Sequence, residues 1–253
     1  MMKRMAWTGV LLVALHCQAG MIEYKQDDTI CEGYLAGYSE LSSIARPGVL
    51  VVHDWMGLGK FSMAKADELT KMGYVALAVD IYGKGVRPAN PKEAGEQAGK
   101  FKTDRQLLRA RVHAALNELQ KYSDPKHIAA IGYCFGGTTV LELARSGADI
   151  AGVVSFHGGL DTPVPAAPKS IHCKVLILHG ADDPYAPAAQ VAAFENEMTK
   201  AGVDWQLIKY SGAVHAFTNP EAGTDNSKGA AYNEKADKRS WEAMKQFFAE
   251  IFR

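Results

Sequence analysis

The stretch IGYCFGGTTV, residues 131–140, joins an apolar run to a segment compatible with a helix. Glycines stand two residues before and two residues after Cys134, at Gly132 and Gly136. This spacing lets a chain turn sharply from strand to helix, because larger side chains there would collide with the turning backbone. The central side chain is then forced outward. The pattern predicts a strand, a tight turn and a helix around Cys134.

Apolar runs rich in valine, isoleucine and leucine recur along the chain, as in strands that are buried on both faces. They are GVLVVH (48–53), YVALAVD (74–80), HIAAIGYC (127–134), AGVVSF (151–156), KVLILH (174–179) and DWQLIKY (204–210), after two short strands in MIEYK and ICEGYLAG. Amphipathic stretches lie around 61–72, 103–121, 137–146, 187–200 and 239–252. Strand and helix alternate, which predicts one α/β domain over residues 20–253, with a mainly parallel sheet and helices on both faces.

Two polar stretches, residues 83–100 and 219–240, are long for connections in a compact α/β domain. Both follow the carboxyl ends of predicted strands. Ligands bind at that edge in open α/β sheets. We therefore expect these stretches to be loops that border a binding site.

The charge balance argues against nucleic acid or an anionic membrane surface as a partner. The 253 residues contain 28 Lys plus Arg and 28 Asp plus Glu, so the chain has no basic footprint. A small, nearly neutral molecule is the expected partner. The sequence leaves the oligomeric state open, a monomer included.

Residues 1–19 have the pattern of a signal peptide: Lys3 and Arg4, an apolar run, then small residues before a cleavage point after Ala19. The apolar run is too short to span a bilayer, so no stable membrane insertion is expected. A periplasmic or secreted location follows. The alternative is translation from Met21, which would leave a cytoplasmic protein.

Four cysteines, at positions 17, 31, 134 and 173, are too few and too scattered for a disulfide framework, and no pair has zinc-ligand spacing. The sequence thus predicts no metal site. Cys134 has two interpretations. It is a small buried residue at a turn, or it is a nucleophile whose thiol pKa is lowered by the amides at the start of a helix.

A cysteine nucleophile needs a base and an acid that orients the base, and in hydrolases with this type of turn the chain order is nucleophile, acid, base. The strand KVLILH runs into GADDPYAP, which offers Asp182 or Asp183. Asp183 is favoured because Pro184 holds it in an extended or turn conformation. His215 follows the next strand and is the candidate base.

With these residues the chain resembles the dienelactone hydrolase family, α/β hydrolases that use a cysteine, aspartate and histidine triad. The resemblance rests on EYK, EGYLA, HDWMGLG, DIYGKG, GYCFGG, HGADDPYAP and VHAF. It implies an α/β-hydrolase fold and the triad Cys134, Asp183 and His215. It also implies hydrolysis of a small ester or lactone through a thioester acyl-enzyme, with no cofactor.

The resemblance further implies that Asp54 assists the thiol and that the backbone amides of Trp55 and Phe135 form an oxyanion hole. The family type enzyme carries a glutamate where this chain has Asp54, which is one methylene shorter. A carboxylate that only stabilises its loop is the alternative for Asp54.

Family members that act on carboxymethylenebutenolide hold its carboxylate with arginines, one of them soon after the catalytic histidine. No cation follows His215 closely here. Lys84 and Arg87 are the replacements to consider, against an interpretation as solvated loop charges. The candidate aromatic lining, which has the core as its alternative, is Trp55, Tyr82, Tyr133 and Phe217.

Three alternative functions stay open at this point. The chain is a broad carboxylesterase or thioesterase, a non-catalytic small-molecule binding protein on a hydrolase fold, or a protein in which Cys134 has a redox role. Loss of ester turnover on removal of Cys134 separates an enzyme from a binding protein.

Overall fold

The computed structural model describes residues 18–39 and 45–253, which contain one eight-stranded sheet and six α-helices. The strands are β1 (Gln18–Gln26), β2 (Thr29–Tyr38), β3 (Pro47–Val52), β4 (Val75–Val79), β5 (Asp124–Tyr133), β6 (Gly152–Phe156), β7 (Lys174–Gly180) and β8 (Trp205–Tyr210). The helices are α1 (Lys60–Lys71), α2 (Pro91–Thr103), α3 (Arg105–Leu119), α4 (Phe135–Arg145), α5 (Ala188–Ala201) and α6 (Glu234–Ile251).

The strand order is β1-β2-β4-β3-β5-β6-β7-β8. The hairpin β1–β2 joins the sheet through an antiparallel pair of β2 with β4, and every pairing from β4 to β8 is parallel. The predicted α/β fold with a mainly parallel sheet is therefore confirmed. Since parallel strands share their direction, the turns after β3, β5, β7 and β8 all leave from one edge of the sheet.

The core lies in two layers, one on each face of the sheet. In β3, Val49 and Val51 pack into the layer that includes α1 and α6. Leu50 and Val52 pack into the layer that includes α2 to α5. All four are fully buried. Because successive side chains of a strand point to opposite faces, two covered faces produce an uninterrupted apolar run.

The N-terminal prediction is only partly visible. Residues 1–17, which are most of the predicted signal peptide, lie outside the described residues. Gln18 and Ala19 already belong to β1 and pair with Tyr38 and Ala36 of β2. No helix in residues 18–39 and 45–253 combines the length and the apolar content that a membrane span needs.

The prediction of a loop over residues 83–100 is wrong, because helix α2 begins at Pro91. Asn90 caps this helix: its side chain accepts a hydrogen bond from the Glu93 amide at 3.1 Å. Pro91 stands at the first helical position, where a missing N–H costs nothing. The buried face of the helix is formed by Ala94, Ala98 and Phe101.

The predicted helix 103–121 is also corrected. α2 ends at Thr103, and Asp104 caps α3 by accepting a hydrogen bond from the Leu107 amide at 2.9 Å.

At the other end of the chain, the predicted loop 219–240 is shorter than expected. Asn233 caps α6, so this helix begins at Glu234 rather than at residue 239. Two short 3-10 helices, Pro220–Ala222 and Asn226–Lys228, lie within what remains of the loop.

Candidate active site

Cys134 forms the turn between β5 and α4. Its backbone has φ 55° and ψ −112°, in a region that L-residues rarely occupy. A Cβ at Gly132 would lie 2.0 Å from the carbonyl oxygen of Gly136, and a Cβ at Gly136 would lie 2.2 Å from that of Val52. Both glycines are therefore required by close backbone contact. The Cys134 amide donates to the Phe156 carbonyl at 3.0 Å, which ties the turn to β6.

Asp183 and His215 come together from two neighbouring strand ends. Nδ1 of His215 lies 2.9 Å from Oδ2 of Asp183, whose side chain is fully buried. The other carboxylate oxygen of Asp183 accepts a hydrogen bond from the Tyr185 amide at 2.8 Å. The aspartate therefore fixes the imidazole on one side and its own turn on the other.

The backbone of His215 is held by the segment that precedes α6. Its amide donates to the Gly229 carbonyl at 3.2 Å, and its carbonyl accepts from the Ala231 amide at 3.0 Å. This short bridge between His215 and Ala230 fixes the backbone that carries the imidazole.

Cys134 lies within reach of the same imidazole. Burial alone would lower the pKa of His215, but the charge of Cys134 and hydrogen bonds to Asp183 and Cys134 outweigh it and raise that pKa to about 10. Since Nδ1 faces Asp183, the nitrogen that faces the sulfur is Nε2. The structure thus brings Cys134, His215 and Asp183 into one chain of contacts.

Asp182 has a different position from its neighbour. It is exposed, and its Oδ2 accepts a hydrogen bond from the Gly212 amide at 3.1 Å. It joins the turns after β7 and β8 without touching the imidazole. Of the two acidic candidates, the structure places only Asp183 beside His215.

Three other histidines end strands at this edge of the sheet, and all three are buried. Nδ1 of His53 donates to the Asp54 carbonyl, and its Nε2 accepts from the Ile81 amide at 3.2 Å. His157 lies 2.8 Å from the Thr218 hydroxyl, and its ring centroid is 5.2 Å from that of His215. Burial lowers the pKa of His53, His157 and His179. They are neutral packing partners of the site.

Asp54 closes the turn that follows β3. Its Oδ1 accepts a hydrogen bond from the Met56 amide at 2.8 Å, and its carbonyl accepts one from Gly57 at 3.3 Å. This turn does not use the Trp55 amide. Burial, followed by the charges of Asp54 and Cys134, raises the pKa of Tyr82. The Tyr82 hydroxyl therefore lies within the electrostatic influence of both Asp54 and Cys134.

The two proposed oxyanion donors occupy positions that leave a backbone N–H available. Phe135 is the first residue of α4, and the first amides of a helix have no intrahelical acceptor. Its ring is buried against His53 at a centroid distance of 5.9 Å. Trp55 is 39% exposed, and its carbonyl accepts a hydrogen bond from the Tyr82 hydroxyl at 2.9 Å.

The two candidate cations, Lys84 and Arg87, are paired with carboxylates of this chain. Lys84 pairs with Glu23, and lies 3.6 Å from Glu32 in β2. Arg87 lies 3.5 Å from the fully buried carboxylate of Asp80. Both contacts stabilise the loop after β4 against the β1–β2 hairpin or against the end of β4.

Two of the aromatic pocket candidates belong to the core. Tyr133 is 1% exposed and stacks on Phe156 at a centroid distance of 4.7 Å. Phe217 is fully buried and packs on His157 at 5.1 Å. Neither ring is available to a substrate, so their assignment to the pocket is wrong. Tyr82 is 5% exposed, and the charge of Cys134 is one of the causes of its raised pKa, after burial and the charge of Asp54.

The sequence interpretation missed Tyr185. Its ring is 59% exposed and lies 5.2 Å from the His215 ring, edge to face at 82°. A tyrosine directly after the Asp183-Pro184 pair was the available signal. An exposed aromatic residue next to a predicted acid has to lie at the ligand edge of the sheet.

No group of three or more His, Cys, Asp or Glu side chains in the described ranges is arranged to hold a metal ion. Cys31, Cys134 and Cys173 are free thiols, and Cys17 lies outside those ranges.

A mainly parallel sheet with a strained residue between strand and helix, and an acid and a histidine on later strand ends, defines an α/β hydrolase. The chain belongs to the dienelactone hydrolase family, whose family model matches residues 32–252.

The chain is also similar to individual proteins and solved structures. A solved structure named m3DLH is 36% identical, with a TM-score of 0.88 over 93% of this chain and 98% of that chain. The crystal structure of P91, a dienelactone hydrolase-like promiscuous phosphotriesterase from metagenomic libraries, is 37% identical, with a TM-score of 0.87 over the same two shares. The uncharacterized protein K02A2.1 of Caenorhabditis elegans is 36% identical over 150 residues, which are 57% of this chain and 94% of that protein.

Proposed function

We propose that this hydrolase cleaves a carboxylic ester or lactone with Cys134 as nucleophile, through a thioester acyl-enzyme. One observation carries the proposal: the Cys134 sulfur, the His215 imidazole and the buried Asp183 carboxylate form a continuous chain of contacts. A cysteine whose only task was packing would need neither an imidazole beside it nor an acid behind that imidazole.

In the first half-reaction, the Cys134 thiolate attacks the carbonyl carbon of the substrate, and the carbonyl oxygen becomes an oxyanion. The tetrahedral intermediate collapses when the bond to the ester oxygen breaks. The protonated His215 gives its proton to that departing oxygen, and Asp183 keeps the imidazole oriented. The products of this step are an alcohol and the thioester of Cys134.

In the second half-reaction, the neutral His215 takes a proton from water, and the resulting hydroxide attacks the thioester carbonyl. The carbon–sulfur bond breaks, so that the carboxylic acid leaves and the thiolate returns beside a protonated imidazole. The charge of Cys134 and hydrogen bonds to Asp183 and Cys134 outweigh burial and raise the pKa of His215 to about 10, so the imidazole of the resting enzyme is protonated at neutral pH.

The backbone amides of Trp55 and Phe135 are the proposed donors to the oxyanion. Removal of one such donor typically costs about 3 kcal/mol of transition-state stabilisation. Asp54 shapes the turn that presents Trp55, which supports the loop-stabilising alternative. A thiol-assisting role for Asp54 is proposed as well, because the charges of Asp54 and Cys134 both raise the pKa of Tyr82.

The family's carboxylated lactone is one candidate substrate, and simple esters or thioesters are the alternative. The engagement of Lys84 and Arg87 with carboxylates favours the simple esters. A competition panel of dienelactone against uncharged esters ranks the two. A preference for the charged lactone would count against the simple-ester assignment.

Phosphotriester hydrolysis is a second candidate activity, favoured by the likeness to P91. The Cys134 thiolate would attack phosphorus and displace p-nitrophenolate while the amide donors hold the phosphoryl oxygen. Water would then cleave the phosphorus–sulfur bond, which releases the dialkyl phosphate and returns the thiolate. Release of p-nitrophenol from diethyl p-nitrophenyl phosphate measures it, and the candidate is rejected if that release is unchanged in Cys134→Ala.

Hydrolysis of p-nitrophenyl acetate tests the main proposal. Cys134→Ala should lower kcat/KM on the order of 10³-fold or more, because the covalent route is lost. Cys173→Ala is the matched control, since it removes a buried free thiol elsewhere in the fold. An unchanged rate above background in Cys134→Ala would reject Cys134 as the nucleophile, and no turnover above background in the wild type would favour the binding-protein alternative.

Export is also proposed, from the pattern of residues 1–19 alone. N-terminal sequencing of the protein from a periplasmic or culture-medium fraction tests it. Recovery of the intact chain only from the cytoplasm would reject it.

A further inference from the structure

Tyr185 has an exposed ring that is nevertheless held in one position. The ring is 59% exposed, yet it lies edge to face on His215 at a centroid distance of 5.2 Å. An exposed aromatic side chain usually has rotamer freedom that a contact of this kind removes.

Two contacts outside the ring face hold Tyr185 in place. Its amide donates to Oδ1 of Asp183 at 2.8 Å, so the acid that orients His215 also fixes the backbone of Tyr185. The ring also approaches Gly229: a Cβ there would lie 3.3 Å from the Tyr185 hydroxyl oxygen and 3.5 Å from Cζ. Gly229 has φ 78°, and its carbonyl accepts the His215 amide.

The position of the ring relates it to one part of the substrate. In the proposed mechanism, His215 gives its proton to the departing oxygen, so the group attached to that oxygen lies beside His215. Tyr185 is the exposed aromatic ring in contact with that imidazole. A flat group on the departing oxygen can pack against it, since aromatic pairs attract beyond their buried area.

We propose that Tyr185 is a specificity-determining residue that selects esters with an aryl leaving group over esters with an alkyl leaving group. The inference rests on the proposed ester hydrolysis and deepens it. Trp55 follows β3, which lies on the opposite side of β5 from β7 and β8 in the strand order, so Tyr185 is proposed to contact the leaving group rather than the acyl group.

Two acetate esters test this selectivity: phenyl acetate, and 2,2,2-trifluoroethyl acetate as an activated alkyl ester. Both give the same acetyl-enzyme, so kcat/KM compares only their acylation steps. Tyr185→Ala should lower kcat/KM for phenyl acetate by about fivefold to tenfold, and change the value for the alkyl ester by less than about twofold. Tyr185→Phe should keep the wild-type ratio of the two values.

Val164→Ala is the matched control. Val164 is 61% exposed on the loop after β6, and its truncation should leave the ratio unchanged. An equal loss on both esters in Tyr185→Ala would overturn the proposal, because Tyr185 would then only support His215. No loss on either ester in Tyr185→Ala would overturn it as well.

A binding measurement separates this inference from the proposed reaction. The rate of Cys134 alkylation by iodoacetamide is measured with phenol or with cyclohexanol present, by mass spectrometry of the labelled peptide. Phenol should protect Cys134 more strongly than cyclohexanol does in the wild type and in Tyr185→Phe. In Tyr185→Ala the two compounds should protect it equally. If the wild type hydrolyses neither ester, the proposed ester hydrolysis is rejected. Equal protection of Cys134 by phenol and by cyclohexanol in the wild type would overturn the proposed role of Tyr185.

Discussion

At the scale of single residues, the protonation of His215 depends on the sulfur of Cys134 and on the carboxylate of Asp183. Burial opposes a charged imidazole, and the sulfur and Asp183 reverse that effect. In Cys134→Ala the pKa of His215 should therefore fall from about 10 towards its usual value of 6.5. NMR titration of the histidine ring measures it, and a pKa that stays near that of the wild type would show that the sulfur is not the cause.

The raised pKa of His215 also predicts how stability depends on pH. The folded protein binds this proton more tightly than the unfolded chain, so the stabilisation is fully present below about 6.5 and is lost as pH rises through about 10. Urea unfolding of the wild type should show a larger loss of stability between about pH 6 and pH 10 than His215→Gln does. Parallel curves for the two proteins would contradict this.

Asp54 offers a test that separates charge from turn geometry. In Asp54→Asn the amide oxygen can still accept the Met56 N–H, but the carboxylate charge is lost. If Asp54 only shapes the turn, kcat/KM should stay within about threefold of the wild type, while Asp54→Ala lowers it by about tenfold. A loss in Asp54→Asn as large as that in Asp54→Ala would assign the effect to the charge.

The residues of the candidate triad could be selected from the sequence because each has a local signal: glycine spacing for Cys134, a following proline for Asp183, a post-strand loop for His215. The aromatic residues have no such signal. Tyr133 and Phe217 differ from a pocket residue only in the direction of the ring, which is set by packing against Phe156 and His157.

At the scale of elements, the turn between β5 and α4 depends on two glycines whose Cα atoms face backbone. Gly132→Ala should destabilise the fold by about 3 kcal/mol, because its Cβ would overlap the Gly136 carbonyl. Gly95→Ala in α2 is the matched control: a Cβ there meets nothing within 4 Å, and stability should rise by about 0.5–1 kcal/mol. Thermal unfolding measures the stability of both variants. Equal stability changes in Gly132→Ala and Gly95→Ala would contradict the predicted collision at Gly132.

Helix α2 shows why part of the fold escaped prediction. Its composition is polar, and only Ala94, Ala98 and Phe101 face the core, so the apolar signal is weak. The Asn90-Pro91 pair was the stronger cue, since asparagine caps helices and proline suits their first position. The same cue, an asparagine cap at Asn233, marks the true start of α6.

At the scale of the whole molecule, the parallel sheet explains how residues 134, 183 and 215 meet. β5, β7 and β8 run in the same direction, so the turns after them share one edge. The alternation of strands and helices predicted this edge. It could not predict the bridge between His215 and residues 229–231, because that contact depends on how a long connection folds back across the site.

The most direct test of the account is acid-quenched mass spectrometry of the wild-type protein mixed with p-nitrophenyl acetate. The account predicts one acetyl group on the peptide that contains Cys134, formed in step with the first release of p-nitrophenol and absent in Cys134→Ala. Acetylation of a different residue, or steady turnover with no acetyl group on Cys134 at any time, would contradict it.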